Sequence, residues 1–151
     1  MKYWLMKTEP DVFSIDDLAK KGESLWDGVR NYQARNFMMN DMKVGDTVLF
    51  YHSNATPSGV VGLAKVAKPA KPDPSQFDKK SEYYDPKATP EKPRWFCVTV
   101  GFDKKFKKEV SLEVIKETKS LKDMILVHRS RLSVQPVLES EFKTICKMGG
   151  L

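Results

Sequence analysis

Four short stretches carry the side chains whose types and spacing could do chemistry. The densest is LWDGVRNYQARNF, residues 25–37, with a Trp, an Asp-Gly turn, two Arg, two Asn and a Gln at what reads as a helix start. With Asn31 as N-cap, the first backbone N–H groups of that helix are free and suit an anion or a carbonyl oxygen. Trp26 offers a stacking platform worth about 1–3 kcal/mol to a nucleobase. Arg30 and Arg35 suit phosphates or other bidentate acceptors. Equally, Trp26 fits a core position, Asn31 a plain cap, and the arginines a solvated face.

The second stretch is YHSN, residues 51–54, at a strand end. Ser53 and Asn54 supply the donor-plus-acceptor pattern that reads a base edge, or a turn into Thr56-Pro57. His52 reads as a strand-face histidine, because no Asp or Glu stands at a spacing that would make it half of a dyad. In the third, KTEP, Lys7 and Glu9 fall two apart on one face and suit a local acid/base pair or a surface ion pair. In the fourth, HRSRLS (128–133), Arg131 and Ser133 alternate with Leu132 and Val134 and share a strand face. No GxGxxG, P-loop, nucleophile elbow or HExxH is present, so nothing reads as a nucleotide-hydrolysing or redox enzyme. Cys97 and Cys146 have no CxxC or Cys/His cluster around them; buried free thiols are expected, with neither metal nor disulfide.

These groups need a scaffold. Residues 2–6 read as a strand, and Ser14 with Asp17 as the capping box of a short helix stopped by Gly22. Ala34, Phe37, Met38 and Met42 recur at helical spacing after Asn31. TVLFYHS (47–53) and GVVGLAKVA (59–67) read as a hairpin with two largely apolar faces, as in a small barrel closed on itself. Residues 68–94 hold six of the nine prolines and read as an extended excursion, either disordered or a flap, in which Tyr83-Tyr84 argues for docking on the body. WFCVTVGF (95–102) is a strand, followed by a basic cluster and one or two short helices around Ser111–Met124. RLSVQPV (131–137) is the last strand and SEFKTICKMGG a C-terminal helix. The pattern is α+β: a small mixed β-barrel of about five strands with flanking short helices, in one domain spanning 1–151.

The chain has 151 residues, a formal net charge of +6 and a pI near 9.2. That balance favours a polyanionic partner, since Lys and Arg near phosphates release counterions on binding. Apolar runs are too short for a bilayer span or a signal-peptide core, so a cytoplasmic protein without membrane association is expected, nuclear if the cell has a nucleus.

Taken in order, YWLMKTEPDVFS, WDGVRNYQARNFM…MKVGDTVLFYHSN, GVVGLAKV, YYDP…PRWFCVTV and RLSVQPV resemble the blocks of the EVE domain, a module of the PUA-like superfamily. The resemblance covers nearly the whole chain. It implies a PUA-like barrel of five to six strands, no cofactor, and a pocket that takes up a base flipped out of nucleic acid. DNA with modified cytosine is the favoured ligand and modified RNA the alternative, bound by a monomer. Carried over onto this sequence, Trp26, Asn31, Tyr51, His52, Ser53 and Asn54 become pocket walls. Lys7 and Glu9 stand at the mouth, joined by Arg131 and Ser133. Arg30, Arg35 and the cluster Lys104, Lys105, Lys107 and Lys108 would pair with phosphates. Leu138 departs from the Thr expected to cap the last helix. The superfamily also contains amidohydrolases that use a Lys, a Thr and a Glu on acylated nucleosides. Lys7, Thr8 and Glu9 supply those types, although adjacent strand positions are expected to alternate between faces.

Overall fold

A computed structural model describes residues 1–151. Its frame is a six-stranded sheet in the order β2-β5-β4-β3-β1-β6. The strands are β1 Tyr3–Thr8, β2 Glu23–Leu25, β3 Thr47–His52, β4 Gly59–Pro72, β5 Phe96–Ser111 and β6 Val134–Val137. β1 and β3 run parallel; the other neighbours are antiparallel. The expected closed barrel is therefore corrected to an open sheet with β2 and β6 at its edges. Both edges are short, and β6 carries Pro136, which an edge strand tolerates because no second neighbour needs its N–H.

The two apolar faces that suggested closure are instead covered by separate layers. On one face Trp4, Met6, Val48 and Phe50 pack with Leu18 of α1 (Ile15–Lys21) and with Ala34 of α2 (Tyr32–Asn36). Met38, in the π-helical turn Phe37–Asp41 that continues α2, belongs to the same core. On the other face Leu5, Leu49 and Leu63 pack with Ile115 of α3 (Leu112–Glu117), Leu126 of α4 (Ile125–His128) and Ile145 of α5 (Glu139–Met148). Alternate strand residues thus serve two cores without the sheet curling shut.

Local chemistry sets the helix starts as expected. The Ser14 hydroxyl accepts from Asp17 N–H at 3.1 Å and the Asp17 carboxylate from Ser14 N–H at 2.9 Å. Asn31 Oδ1 accepts from Ala34 N–H at 2.9 Å. Element bounds differ more. β4 continues to Pro72 and β5 to Ser111, so the basic cluster lies within a strand. Only Phe106 and Val110 anchor that half of β5, four residues apart, and the strand periodicity fades between them. Gly62 permits the close approach of β4 and β5: a Cβ there would lie 2.5 Å from the Lys104 carbonyl oxygen. The last strand starts at Val134 rather than Arg131. Leu132 O instead accepts from the buried Gln135 side chain at 2.7 Å, which holds a turn.

The excursion docks on the body. The Gln76 side chain is fully buried, donating to Asp73 O and Trp95 O and accepting from Arg94 N–H and Trp95 N–H at 2.7–3.0 Å. Asp85 accepts from the Trp95 indole at 2.8 Å. Of the thiols, Cys97 is buried as expected, whereas Cys146 is only partly so; both are free.

Candidate functional site

A cleft of roughly 750 Å³ opens where the parallel strands β1 and β3 end. Lys7, Thr8 and Glu9 line it from the end of β1, with Phe13 from the turn into α1. Ser53 and Asn54 come from the end of β3, and Trp26 to Arg30 from the loop between β2 and α2. Ser130, Arg131 and Ser133 come from the turn before β6, and Tyr83 reaches in from the docked excursion.

Trp26 is mostly core. It is 7% exposed, sits edge-on to Phe50 at 5.6 Å, and its backbone N–H donates to Val98 O at 2.9 Å. It meets the cleft with a narrow margin of its surface, whereas Tyr83 is 36% exposed and Phe13 half-buried. Gly28 lets the Tyr83 ring close over the loop. Its φ is +81°, and a Cβ there would stand 2.7 Å from the ring. Asp27 is exposed at the cleft. Burial on its inner side, and then the neighbouring Asp73, push its carboxyl up.

At the mouth, Asn54, in the left-handed region at φ 49°, donates to the Glu9 carboxylate at 3.0 Å. Lys7 donates to Ser130 O and stands 5.6 Å over the Tyr51 ring. Burial pulls its ammonium below the usual lysine value. Lys7, Thr8 and Glu9 all reach the same cleft, because β1 ends at Thr8 and the chain turns there. Strand alternation therefore does not separate them, and the expectation that it would is corrected.

The structure places the other expected residues elsewhere. Tyr51 is 3% exposed and faces the core that holds Leu49. His52 Nε2 accepts from Ile15 N–H at 3.1 Å, holding the start of α1 with a neutral imidazole. Its pKa is lowered by burial. Asn31 lines a second, smaller cavity of about 260 Å³ with residues 128–132.

Arg30 lines the cleft, but its guanidinium is turned to the protein. It meets Asp73 at 3.1 Å, Ser75 Oγ at 3.0 Å and Tyr83 O at 2.8 Å, and lies over the Trp95 ring at 5.2 Å. Arg35 donates to Arg94 O and to the Asn36 side chain, both at 2.8 Å, and stands over Tyr32 at 4.8 Å. Lys104, Lys105, Lys107 and Lys108 lie on β5 outside the cleft, and Lys105 pairs with Asp16 at 2.9 Å.

Phe13, Asp27 and Ser130 line the cleft without having been legible in the sequence. Tyr83 is legible there only as half of an aromatic pair that suggests docking. Phe13 gives no signal, because one aromatic beside a helix start is ordinary. The Asp27-Gly28 pair reads as a turn, and a turn gives its carboxylate no direction.

Comparison with known proteins adds relatives of this whole arrangement. The family model for the EVE domain matches residues 2–148. Thymocyte nuclear protein 1 of Mus musculus is 43% identical over 97% of this chain and 73% of its own length. A hypothetical protein from Leishmania major has a solved structure with 52% identity and a TM-score of 0.95, covering 99% of this chain and 94% of that one. Human THYN1 protein, solved in complex with 5-methylcytosine containing DNA, is 39% identical with a TM-score of 0.94, covering 100% of this chain and 99% of that one. The open six-stranded sheet with short helices matches the PUA-like fold of those structures.

Proposed function

The chain belongs to the EVE domain family, and from that premise we propose that it is a non-enzymatic DNA-binding module that holds a flipped, modified base in the cleft at the ends of β1 and β3. A modified cytosine is the favoured base. The observation that carries this reading is the lining of the cleft. Phe13, Trp26 and Tyr83 supply apolar walls, and Ser53 and Asn54 supply edge hydrogen-bonding groups, in a fold that overlays human THYN1 bound to 5-methylcytosine DNA. Flipping costs a few kcal/mol, which stacking, edge hydrogen bonds and backbone contacts offset. An added methyl discriminates by only about 1–3 kcal/mol, so preference for the modified base is modest. The β5 lysines and the overall charge of +6 add attraction that does not depend on sequence. No helix is long and apolar enough to cross a membrane, and the protein acts as a monomer where DNA is found, in the cytoplasm of a bacterium or in a nucleus.

Trp26→Ala tests the reading. Preference for a duplex with one 5-methylcytosine over its plain counterpart disappears, while salt-sensitive background binding stays; a preference that survives removes Trp26 from the pocket. Competition between matched RNA and DNA at one salt concentration decides the polymer.

A second reading has its own observation, the meeting of Lys7, Thr8 and Glu9 in one cleft. Those groups suit hydrolysis of an acylated nucleoside, with a lysine whose pKa burial lowers and a carboxylate lining the same cleft. Release of acetate from acetylated cytidine, abolished in Lys7→Ala, would establish it over the binding-only reading.

A further inference from the structure

We infer that the small cavity beside the cleft, formed by Asn31 and the turn 128–132, is the seat of the phosphodiester that flanks the captured base. This rests on the base-pocket reading and names where the backbone of that nucleotide lies. The two cavities share Ser130 and Arg131, so a ligand that fills the larger one continues into the smaller without leaving the protein surface.

The linings differ in charge. The larger cleft mixes cations with the carboxylates of Glu9 and Asp27, whereas the smaller has Arg129 and Arg131 and no acid. Neither arginine enters any of the molecule's ion pairs. The Arg129 guanidinium makes its one hydrogen bond to the neutral Gln33 side chain, at 2.9 Å. Arg30 and Arg35, by contrast, are occupied by internal acceptors. A guanidinium fork without an internal carboxylate is the group that pairs with two phosphate oxygens.

The neighbours fit the same ligand. Asn31 commits its Oδ1 to Ala34 N–H, which leaves its amide N–H groups as donors at the cavity. The Ser130 carbonyl is taken by Lys7 and its hydroxyl is a further donor. That Lys7 bond also ties the turn to the end of β1, so the base cleft and the phosphate seat are held in one register.

The test is a salt titration of binding to two labelled duplexes, one with a single 5-methylcytosine and one plain, using the wild-type protein, Arg129→Gln and Arg131→Gln. Both side chains are exposed, so a thermal melt matching wild type verifies the fold. The expected result for Arg129→Gln is an equal drop in affinity for both duplexes, about tenfold. The slope of log K against log salt becomes shallower by about 0.9 for each phosphate that the variant no longer neutralises. The ratio between duplexes is unchanged. Slopes and affinities that match wild type in both variants overturn the phosphate seat, even if the wild-type protein prefers the modified duplex. A shallower slope in a protein with no such preference defeats the base-pocket reading and overturns the seat as placed beside a captured base, leaving only a phosphate contact at these arginines.

Discussion

Arg30 Nη1 lies 3.1 Å from Asp73 Oδ2, a pair in which the aspartate side chain is 1% exposed and the arginine 21%. This ion pair joins the loop that carries Trp26 to the excursion that carries Tyr83. Gly28 N–H donates to the same carboxylate oxygen at 2.8 Å, and Ser75 satisfies the other oxygen through its N–H and hydroxyl. One buried carboxylate therefore sets both aromatic sides of the cleft. Asp73→Asn leaves the guanidinium without its counter-charge and is expected to cost about 3–5 kcal/mol. Urea denaturation measures the destabilisation, and the preference for modified DNA falls with it.

The same carboxylate makes stability depend on acid. Burial alone would raise Asp73, but hydrogen bonds from Ser75, Gly28 and Arg30 hold it below the usual range. Asp46 behaves alike: burial is outweighed by donors from Lys43, Trp4 and Lys2. A carboxyl depressed by folding contributes stability in full above its unfolded value, about pH 4, and that stability is lost as pH falls through the folded value. Melting temperature against pH is therefore flat above about pH 5 for these groups and drops below pH 4. The drop is shallower, from a lower plateau, in Asp46→Asn.

Gly28→Ala places a methyl where the Tyr83 ring stands, at a φ of +81°. Strain and displacement act together, so a destabilisation of at least about 1 kcal/mol is expected. Discrimination between modified and plain duplexes falls more than background binding does. Equal discrimination in the variant and wild type would remove Tyr83 from the cleft wall.

Leu138 occupies the N-cap of α5, 66% exposed and without an oxygen to accept from the helix start. Only the reciprocal half of a capping box is present, with Glu141 accepting from Leu138 N–H at 2.9 Å. The backbone there is extended, as a cap requires. Leu138→Thr completes the box and is expected to add about 1 kcal/mol, read as a raised denaturation midpoint with unchanged DNA binding.

Burial pushes the Cys97 thiol up to about 12. Iodoacetamide at pH 8 leaves Cys97 unmodified in the folded protein and alkylates it once urea exposes the thiol. Peptide mass spectrometry separates it from the half-buried Cys146.

Much of this molecule is written locally. Ser14–Asp17 and Asn31 cap their helices because those hydrogen bonds lie within three residues. β3 and the start of β4 are visible because alternating side chains serve two apolar faces. The order of blocks from KTEP to RLSV identifies the family. Local pattern does not tell a sheet sandwiched between two helical layers from one closed on itself, since both bury both faces of a strand. Nor does it carry β5 past residue 102, where only Phe106 and Val110 anchor the strand.

The division at the site follows the same physics. Residue types and turn signals alone set Trp26, Ser53, Asn54, Lys7 and Glu9 near chain turns, with groups suited either to a planar polar ligand or to core and surface roles. The packing of the fold selected which of them meet. It turned Tyr51 into a core, committed His52 to the start of α1, and consumed Arg30 and Arg35 in internal hydrogen bonds. It also brought Tyr83 against Gly28 from 55 positions away. An arginine's freedom to pair with a ligand depends on where its nearest acceptor lies in space, and Asp73 reaches Arg30 only because the excursion folds back.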